Sequence, residues 1–168
     1  MGDIDQICEG KVTHDGFFDF KSLYNFLYEY INEDEGYFII EKKYVEKLKG
    51  DAKDIEIEWE CTKKINDYFR IKIKAKFRLF GLASIEVQDS EGNKKKTNKG
   101  SFEIKVAGYL ERDYENKWDE SPIMKFLRSI YDRYIIKTRI DSFEMKVKGD
   151  CDDIFAQTKS FLALEGKK

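Results

Sequence analysis

Residues 55–79 read IEIEWECTKKINDYFRIKIKAKFRL, and this stretch decides the fold. Apolar side chains occupy the odd positions of 55–61 and 69–79, while the even positions carry glutamates in the first segment and lysines or arginines in the second. Such strict alternation is typical of a β-strand with one buried face and one solvent-exposed face. The polar residues between the two segments therefore predict an antiparallel hairpin.

The register of this hairpin follows from the alternation. Because the apolar residues are odd-numbered in both strands, the residue numbers of two facing residues must add to an even number. This condition requires a loop with an odd number of residues. A loop at 66–68 meets this condition and sets Trp59 opposite Ala75 on the inner face. A slip of one residue would turn every side chain to the other face. On the outer face the same register pairs Glu60 with Lys74, Glu58 with Lys76 and Glu56 with Arg78.

The charge distribution along the chain is uneven, although the net charge is only −2. The first 60 residues are acidic, and residues 61–112 are basic. In the predicted hairpin an acidic strand lies beside a basic one, and opposite charges that face each other across strands are stabilising. Most of the asymmetry is thus explained within the sheet and does not indicate a binding site.

Periodicity outside the hairpin predicts further strands and helices. Asp19 is a good N-cap for a helix with apolar residues at helical spacing from Phe20 to Ile31, and Gly36 suits the left-handed conformation that ends a helix. Strand patterns occur around Ile7–Val12, at 37–48 (where 41–48 also fits a helical turn), at 83–87 after a break at Gly81, and at 102–110. Residues 1–168 are therefore expected to form a single α+β domain. It contains an antiparallel meander sheet of about five strands, with an N-terminal helix and long C-terminal helices packed on one face.

The C-terminal part begins with a strong helix start at Ser121–Pro122. The predicted buried stripe of this helix consists of Ile123, Phe126, Leu127, Ile130, Tyr131, Tyr134 and Ile135. Residues 138–148 fit either a helix or a strand, and the helix is favoured. Lys148–Asp150 carries the signals of one helix ending and another beginning, with an acidic start at Asp152.

A second apolar seam follows in the distal part of this region, at Val147, Cys151, Ile154, Thr158 and Phe161. One straight helix from Ser121 to Leu164 would run roughly 66 Å at ~1.5 Å per residue. A ten-residue strand spans only about 33 Å, so the distal seam needs cover. Either the chain folds back at Lys148–Asp150 or a second copy covers the seam, and a homodimer is the favoured expectation.

The composition argues against several classes of site. The three cysteines are odd in number and far apart, which predicts a reducing compartment and no disulfide framework. No stretch approaches the ~18–20 consecutive apolar residues of a membrane span, so a cytoplasmic protein is expected. His14 is the only histidine, and no metal-binding spacing, phosphate loop or nucleophile motif is present. The sequence therefore predicts no enzyme, no cofactor and no metal site.

Two groups of residues are candidates for binding. The first helix carries more aromatic residues than one buried face needs, so it is a candidate partner surface together with the distal seam. The partner-contact candidates are Phe17, Phe18, Tyr24, Tyr28, Ile154 and Phe161. A lysine run in a predicted polar hairpin tip supplies the nucleic-acid-contact candidates Lys94, Lys95, Lys96 and Lys99. A solvated hairpin tip without a ligand is the favoured interpretation of the lysines.

Scattered positions carry a resemblance to a group of small archaeal proteins to which no activity is attached. They are Gly16, Phe17, Asp19, Phe20, 41–44 (EKKY), 56–59 (EIEW), Tyr109, Pro122 and 134–137 (YIIK). The resemblance would cover most of the chain, and it implies no function. The order of helix, antiparallel meander and long C-terminal helix also resembles the helix-grip arrangement of lipid-binding domains, an analogy of fold alone.

Three functions remain open. The leading hypothesis is a non-catalytic binding or assembly protein that acts through protein–protein contacts. The first alternative is a carrier that holds an apolar small molecule between the sheet and the long helix. The second is a nucleic-acid or ribosome-associated factor that uses the lysine run.

Overall fold

The computed structural model describes residues 3–118, 120–135 and 137–165. This part of the chain forms a five-stranded antiparallel sheet and three α-helices, so the α+β prediction is confirmed. The elements are β1 Asp3–Phe18, α1 Phe20–Glu29, β2 Phe38–Lys49, β3 Ala52–Lys64, β4 Phe69–Gln88, β5 Lys94–Arg112, α2 Pro122–Ile130 and α3 Lys137–Glu165. The strand order is β1-β5-β4-β3-β2. Strands β2 to β5 are a meander, and β1 joins it at the far edge beside β5.

The hairpin of β3 and β4 has the predicted register. Trp59 faces Ala75 and Glu58 faces Lys76, while Ile65 N donates to Phe69 O at 3.1 Å where the loop closes. The inner face of both strands is buried, and the Trp59 ring lies 4.7 Å from the ring of Phe77 between centroids. The parity of the apolar positions thus places the core face of these two strands over 55–61 and 69–79.

The outer face carries ion pairs that reach beyond directly facing residues. The Nζ atom of Lys76 lies 3.2 Å from carboxylate oxygens of both Glu56 and Glu58. Glu60 lies 4.0 Å from Lys72 rather than pairing with its facing residue Lys74, whose ammonium group sits 5.2 Å above the ring centroid of Tyr109. Long side chains can reach diagonal neighbours, so the acidic and basic strands form a network and not only a ladder.

One strand joins two segments that the sequence pattern predicted to be separate strands. Strand β4 runs through Gly81, so the predicted division into 69–79 and 83–87 is wrong. Gly81 has φ +61°, and the pairing with β5 shifts between Phe80 and Ala83, which is the geometry of a bulge that bends a strand without ending it. Segment 37–48 is a strand as favoured, observed as β2.

Helix α1 begins and ends where its local signals predict. The side chain of Asp19 accepts a hydrogen bond from Ser22 N at 3.2 Å, and Leu23 and Leu27 are buried against the sheet. The helix continues into a π-helical segment, Tyr30–Asp34, and the chain then turns at Gly36, where φ is +75°.

Helix α3 is continuous across Lys148–Asp150, so the predicted end and restart there are wrong and 138–148 is helical as favoured. Its buried side chains Val147, Cys151 and Ile154 pack on the chain's own sheet. Gly108 makes this approach possible, because a Cβ atom at that position would lie 2.6 Å from Val147 Cγ1. The distal seam is therefore covered within one chain, and that reason for a homodimer falls away. The homodimer itself stays a prediction.

Candidate functional site on helix α2

Helix α2 starts at the predicted cap. Ser121 Oγ accepts a hydrogen bond from Met124 N at 3.2 Å, and Pro122 occupies the first turn, where its missing N–H is not needed. Beyond Ile130 the helix continues as a π-helical segment, residues 131–135. Together the two segments form a rod that lies at one end of the sheet, beside the first residues of β1 and the last residues of β5.

The polar face of α2 points into the protein. Arg128 is only 7% exposed. Its guanidinium group lies 3.0 Å from Asp3 and donates from Nε to the Tyr68 hydroxyl at 3.0 Å. It also lies 3.8 Å from the buried carboxylate of Asp113 and 3.7 Å from Asp132, one turn further along the helix. A buried cation of this kind holds its helix to the surroundings through several groups at once.

A second arginine extends this network into the sheet. Arg112, at the end of β5, lies 2.7 Å from Asp5 and 3.6 Å from Asp132. The hydroxyl of Tyr68 donates to Asp132 at 2.6 Å. Burial and this hydrogen bond raise the pKa of Tyr68, although the neighbouring Arg128 lowers it, so the phenol remains a donor at neutral pH. We call Arg112, Arg128, Asp3, Asp5, Asp113, Asp132 and Tyr68 the anchor network.

The apolar face of α2 is consequently turned to solvent, and the predicted buried stripe is wrong. Ile123 is 72% exposed, Phe126 65% and Tyr134 74%, and Leu127 and Ile130 are also exposed. Of the predicted stripe only Tyr131 is half-buried, stacked on Trp118 at 6.0 Å, and the side chain of Ile135 lies outside the described residues. We call Ile123, Phe126, Leu127, Ile130 and Tyr134 the α2 stripe.

The physical reason is competition for the sheet. Its apolar face is already covered by α1 and α3, which leaves α2 at the end where Arg112 and Asp113 terminate β5. Those charged groups need partners, and the polar face of α2 supplies Arg128 and Asp132. A buried charge without a partner costs more than leaving apolar side chains in water, so the polar face turns inward.

Cations surround a hollow beside the polar face of α2. Lys125, Arg133 and Lys137 are exposed there. They line an open hollow of about 620 Å³ together with Asp3, Arg112, Arg128, Ser129 and Asp132. The two inner arginines face the aspartates of the anchor network, so the three outer cations are the ones presented to solvent.

The predicted partner-contact residues lie elsewhere and are divided by burial. Phe18 and Ile154 are fully buried, so both belong to the core and not to a surface that a partner reaches. Phe161 stacks on Phe26 with 5.3 Å between ring centroids, which places it between α3 and α1. Aromatic residues of the first helix therefore pack within the protein: Tyr24 and Tyr28 contact Trp59, and Phe26 contacts α3.

Three of these aromatic residues retain some exposure. Tyr24 is half-buried and donates to Glu41 at 2.6 Å. Its ring packs edge-on against Trp59, and burial together with Glu41 raises its pKa to about 12. Tyr28 also packs edge-on against Trp59 but is exposed, and Phe17 is exposed beneath the ammonium group of Lys99 at 5.5 Å. None of them adjoins the α2 stripe in sequence.

The lysine run lies in a strand and not in a hairpin tip, so that part of the prediction is wrong. The turn is confined to 89–93, and Lys94 already pairs with Gln88 in the ladder between β4 and β5. Lys94 and Lys96 fall on one face of β5, while Lys95 and Lys99 fall on the other, because side chains alternate along a strand. All four are exposed, but they do not form one basic patch.

Changing Lys94, Lys95, Lys96 and Lys99 together to Ser is expected to alter the free energy of unfolding by less than about 0.5 kcal/mol per site, because exposed side chains rarely contribute more. Chemical denaturation of the wild type and the variant checks this. In a mobility-shift titration with single-stranded RNA, a salt-dependent affinity that falls in the variant would instead support a nucleic-acid factor.

One acidic cluster of the described residues has the geometry of a metal site. Single ligand atoms of Glu35, Asp150 and Asp153 lie within 4.8 Å of one another. A cationic side chain already lies beside these carboxylates, because Lys146 Nζ is 2.6 Å from Asp150 and 3.9 Å from Glu35. The hydroxyl of Tyr37 donates to Asp150 at 2.6 Å. The cluster is therefore best explained as a tie between α3 and the segment that precedes β2, in which Tyr37 and Asp150 are buried.

The sequence matches no protein-family model and no curated protein. The resemblance to archaeal proteins therefore stays a prediction. None of the described helices has the length and apolar content that crossing a membrane requires.

The anchor network was not anticipated from the sequence. Its local signal is the pair Arg128 and Asp132, which lie one helical turn apart. The remaining members come from β1, from the end of β5 with the residue that follows it, and from the loop between β3 and β4. Their convergence depends on the fold, which places β1 beside β5 although they are far apart in sequence.

Proposed function

We propose that this protein is a non-catalytic binding module that inserts the α2 stripe into an apolar groove of a protein partner. The observation that carries the proposal is the inverted helix, whose polar face is held inside by the anchor network while five large apolar side chains face solvent. Contiguous apolar surface on a folded protein is typical of an interaction site.

The spacing of the stripe fits helix-in-groove recognition. Ile123, Phe126, Leu127 and Ile130 stand at positions i, i+3, i+4 and i+7, which is the pattern of anchors that an amphipathic helix lays into an apolar groove. Tyr134 extends the same face by one more turn. Because the anchor network already holds the helix in place, docking does not have to order a flexible segment, and less of the binding free energy is lost.

The exposed cations indicate the chemistry of the partner. Lys125, Arg133 and Lys137 surround the hollow beside the polar face of α2, so a partner with carboxylates next to its apolar groove would be complementary. Pairing of α2 with a second copy would instead bring two sets of like charges towards one interface. Like charges oppose such pairing, so a different protein fits better than a second copy.

The alternatives receive less support from the packing. The line between α3 and β5 is closely filled where Gly108 meets Val147 and Cys151, which leaves no room there for an apolar ligand. The lysine run is split between two faces of β5. Neither observation favours a carrier or a nucleic-acid factor.

The test compares the wild type with Ile123→Asp plus Phe126→Asp. Because both side chains are exposed, the variant should keep its circular dichroism spectrum and its free energy of unfolding within about 1 kcal/mol. Phe38→Asp plus Leu48→Asp is the matched control, since these residues are also exposed and apolar but lie on β2. Each immobilised protein is exposed to extract of the cells of origin, and captured proteins are identified and purified.

We expect a purified partner that binds the wild type and the β2 control but binds the α2 variant at least ~100-fold more weakly, because two of the five anchors are lost and two charges are introduced. Charge reversal by Lys125→Glu plus Arg133→Glu should lower the association rate and its salt dependence. Equal binding by the α2 variant would overturn the proposal. Self-association of the wild type in ultracentrifugation that the α2 variant loses would overturn the proposal in favour of a second copy. Sedimentation of the wild type with anionic vesicles that the α2 variant loses would overturn it in favour of a membrane surface.

A further inference from the structure

Two cysteines that are distant in sequence meet in the structure. Cys8 lies on β1 and Cys151 on α3, and their Sγ atoms are 2.7 Å apart. Cys8 is half-buried, whereas Cys151 is buried. The separation lies between the ~2.05 Å of a disulfide bond and an ordinary non-bonded contact of two sulfur atoms, so no side chain stands between the two thiols.

Two local features bring the sulfur atoms together. The pairing of β1 with β5 shifts between Gln6 and Cys8, so Ile7 forms a bulge. Before the bulge the odd-numbered residues Asp3 and Asp5 lie on the inner face. The extra residue reverses the alternation, so that the even-numbered Cys8 points towards α3; without the bulge it would point away. The facing residue is Gly108, where a Cβ atom would lie 2.7 Å from both sulfur atoms.

We propose that Cys8 and Cys151 form an intramolecular disulfide by exchange with a low-molecular-weight disulfide. The Cys8 thiolate attacks one sulfur of the small disulfide, which releases one small thiolate and leaves a mixed disulfide on Cys8. The Cys151 thiolate then attacks the Cys8 sulfur, forms the Cys8–Cys151 bond and releases the second small thiolate. The two protein thiols lose two electrons to the small disulfide, and their protons end on the two released thiols.

The order of the two attacks follows from accessibility. Cys8 is the half-exposed member of the pair and meets the external reagent first. Cys151 is enclosed by α3 and the sheet, where burial and the adjacent Cys8 raise its pKa. Because it is buried and its sulfur lies 2.7 Å from that of Cys8, Cys151 acts as the resolving thiol, which reacts only with the neighbouring sulfur.

The bond would fasten an edge strand to the long helix. Strand β1 pairs on one side only, with β5, and it carries Asp3 and Asp5 of the anchor network. A covalent link from Cys8 to α3 closes a long loop and restricts the unfolded chain, which raises stability. Oxidation would thus stabilise β1, whose Asp3 and Asp5 help to hold α2. This inference does not depend on the proposed function.

The experiment exposes the reduced full-length protein to glutathione disulfide. Free thiols are counted by alkylation under denaturing conditions, and the intact mass and tryptic peptides are measured. We expect the wild type to lose two of its three thiols, to retain no glutathione and to yield a Cys8–Cys151 cross-linked peptide. Its thermal midpoint should rise relative to the reduced protein and fall back after reduction.

Cysteine variants separate this outcome from unspecific oxidation. Cys61→Ser is the matched control and should lose both remaining thiols, because Cys61 is fully buried in the core, where the external disulfide does not reach it. Cys151→Ala should stop at a glutathione adduct on Cys8, and Cys8→Ala should keep its thiols. If Cys151→Ala does not fold, Cys8→Ala and the wild type decide the question.

Three results would overturn the inference. They are retention of all thiols in the wild type, a stable glutathione adduct on wild-type Cys8, and a disulfide that joins two chains or includes Cys61. A cross-linked peptide without any rise in the thermal midpoint would overturn the stabilising role of the bond.

Discussion

Replacing Arg128 by Met is expected to lower the free energy of unfolding by about 3–5 kcal/mol, the range found when one partner of a buried ion pair is removed. The substitution leaves the buried carboxylate of Asp113 and the half-buried one of Asp132 without the guanidinium group that lies beside both. It also removes the hydrogen bond from Nε to the Tyr68 hydroxyl. Urea denaturation followed by circular dichroism measures the loss.

The exposed cation Lys125 on the same helix provides the control, because Lys125→Met should change stability by less than about 0.5 kcal/mol. Neutralising the stranded acids should recover part of the loss, so Arg128→Met combined with Asp113→Asn and Asp132→Asn is expected to be more stable than Arg128→Met alone. A loss below about 1 kcal/mol for Arg128→Met would contradict the anchor network and the inverted orientation of α2.

Replacing Trp59 by Ala is expected to cost about 3–5 kcal/mol, as large aromatic truncations in cores do. The indole is buried among the rings of Phe77, Tyr24 and Tyr28, with centroid distances of 4.7, 5.1 and 5.8 Å. Its removal leaves a cavity where α1 meets the sheet, and it takes from Glu41 the hydrogen bond donated by Nε1 at 3.2 Å.

Chemical denaturation of Trp59→Ala beside Tyr44→Ala tests this prediction. Tyr44 is an exposed aromatic residue on the neighbouring strand β2, and its truncation should cost less than about 1 kcal/mol. Equal losses in the two variants would place Trp59 on the solvent face and contradict the register of β3 and β4.

Local pattern was sufficient for the hairpin and the first helix. The parity of the apolar residues in 55–79 and the odd loop at 66–68 placed Trp59 opposite Ala75, as observed. The cap at Asp19 and the left-handed Gly36 bounded the first helical region. These features depend on residues that are close in sequence, so their physical causes can be recognised without knowing the rest of the fold.

The candidate site was half predictable. Helical periodicity correctly grouped Ile123, Phe126, Leu127 and Ile130 on one face, because side-chain spacing along a helix is a local property. It assigned that face to the core, since apolar stripes usually face inward. The exposed position follows instead from the end of β5, where Arg112 and Asp113 need oppositely charged partners.

The sequence by itself determined which side chains share a face, where the first helix begins and how β3 pairs with β4. Only the tertiary structure decided which face of α2 is buried, which cysteines meet and how the lysine run is divided. Each of these depends on elements that lie far apart in the chain: β5 and the β3–β4 loop for α2, the bulge at Ile7 and Gly108 for the thiols, and the extent of β4 for the lysines. The polar face of α2 is buried because unpartnered charges at the end of β5 would cost more free energy than exposed apolar side chains do. The two costs can be compared only when the neighbouring elements are known.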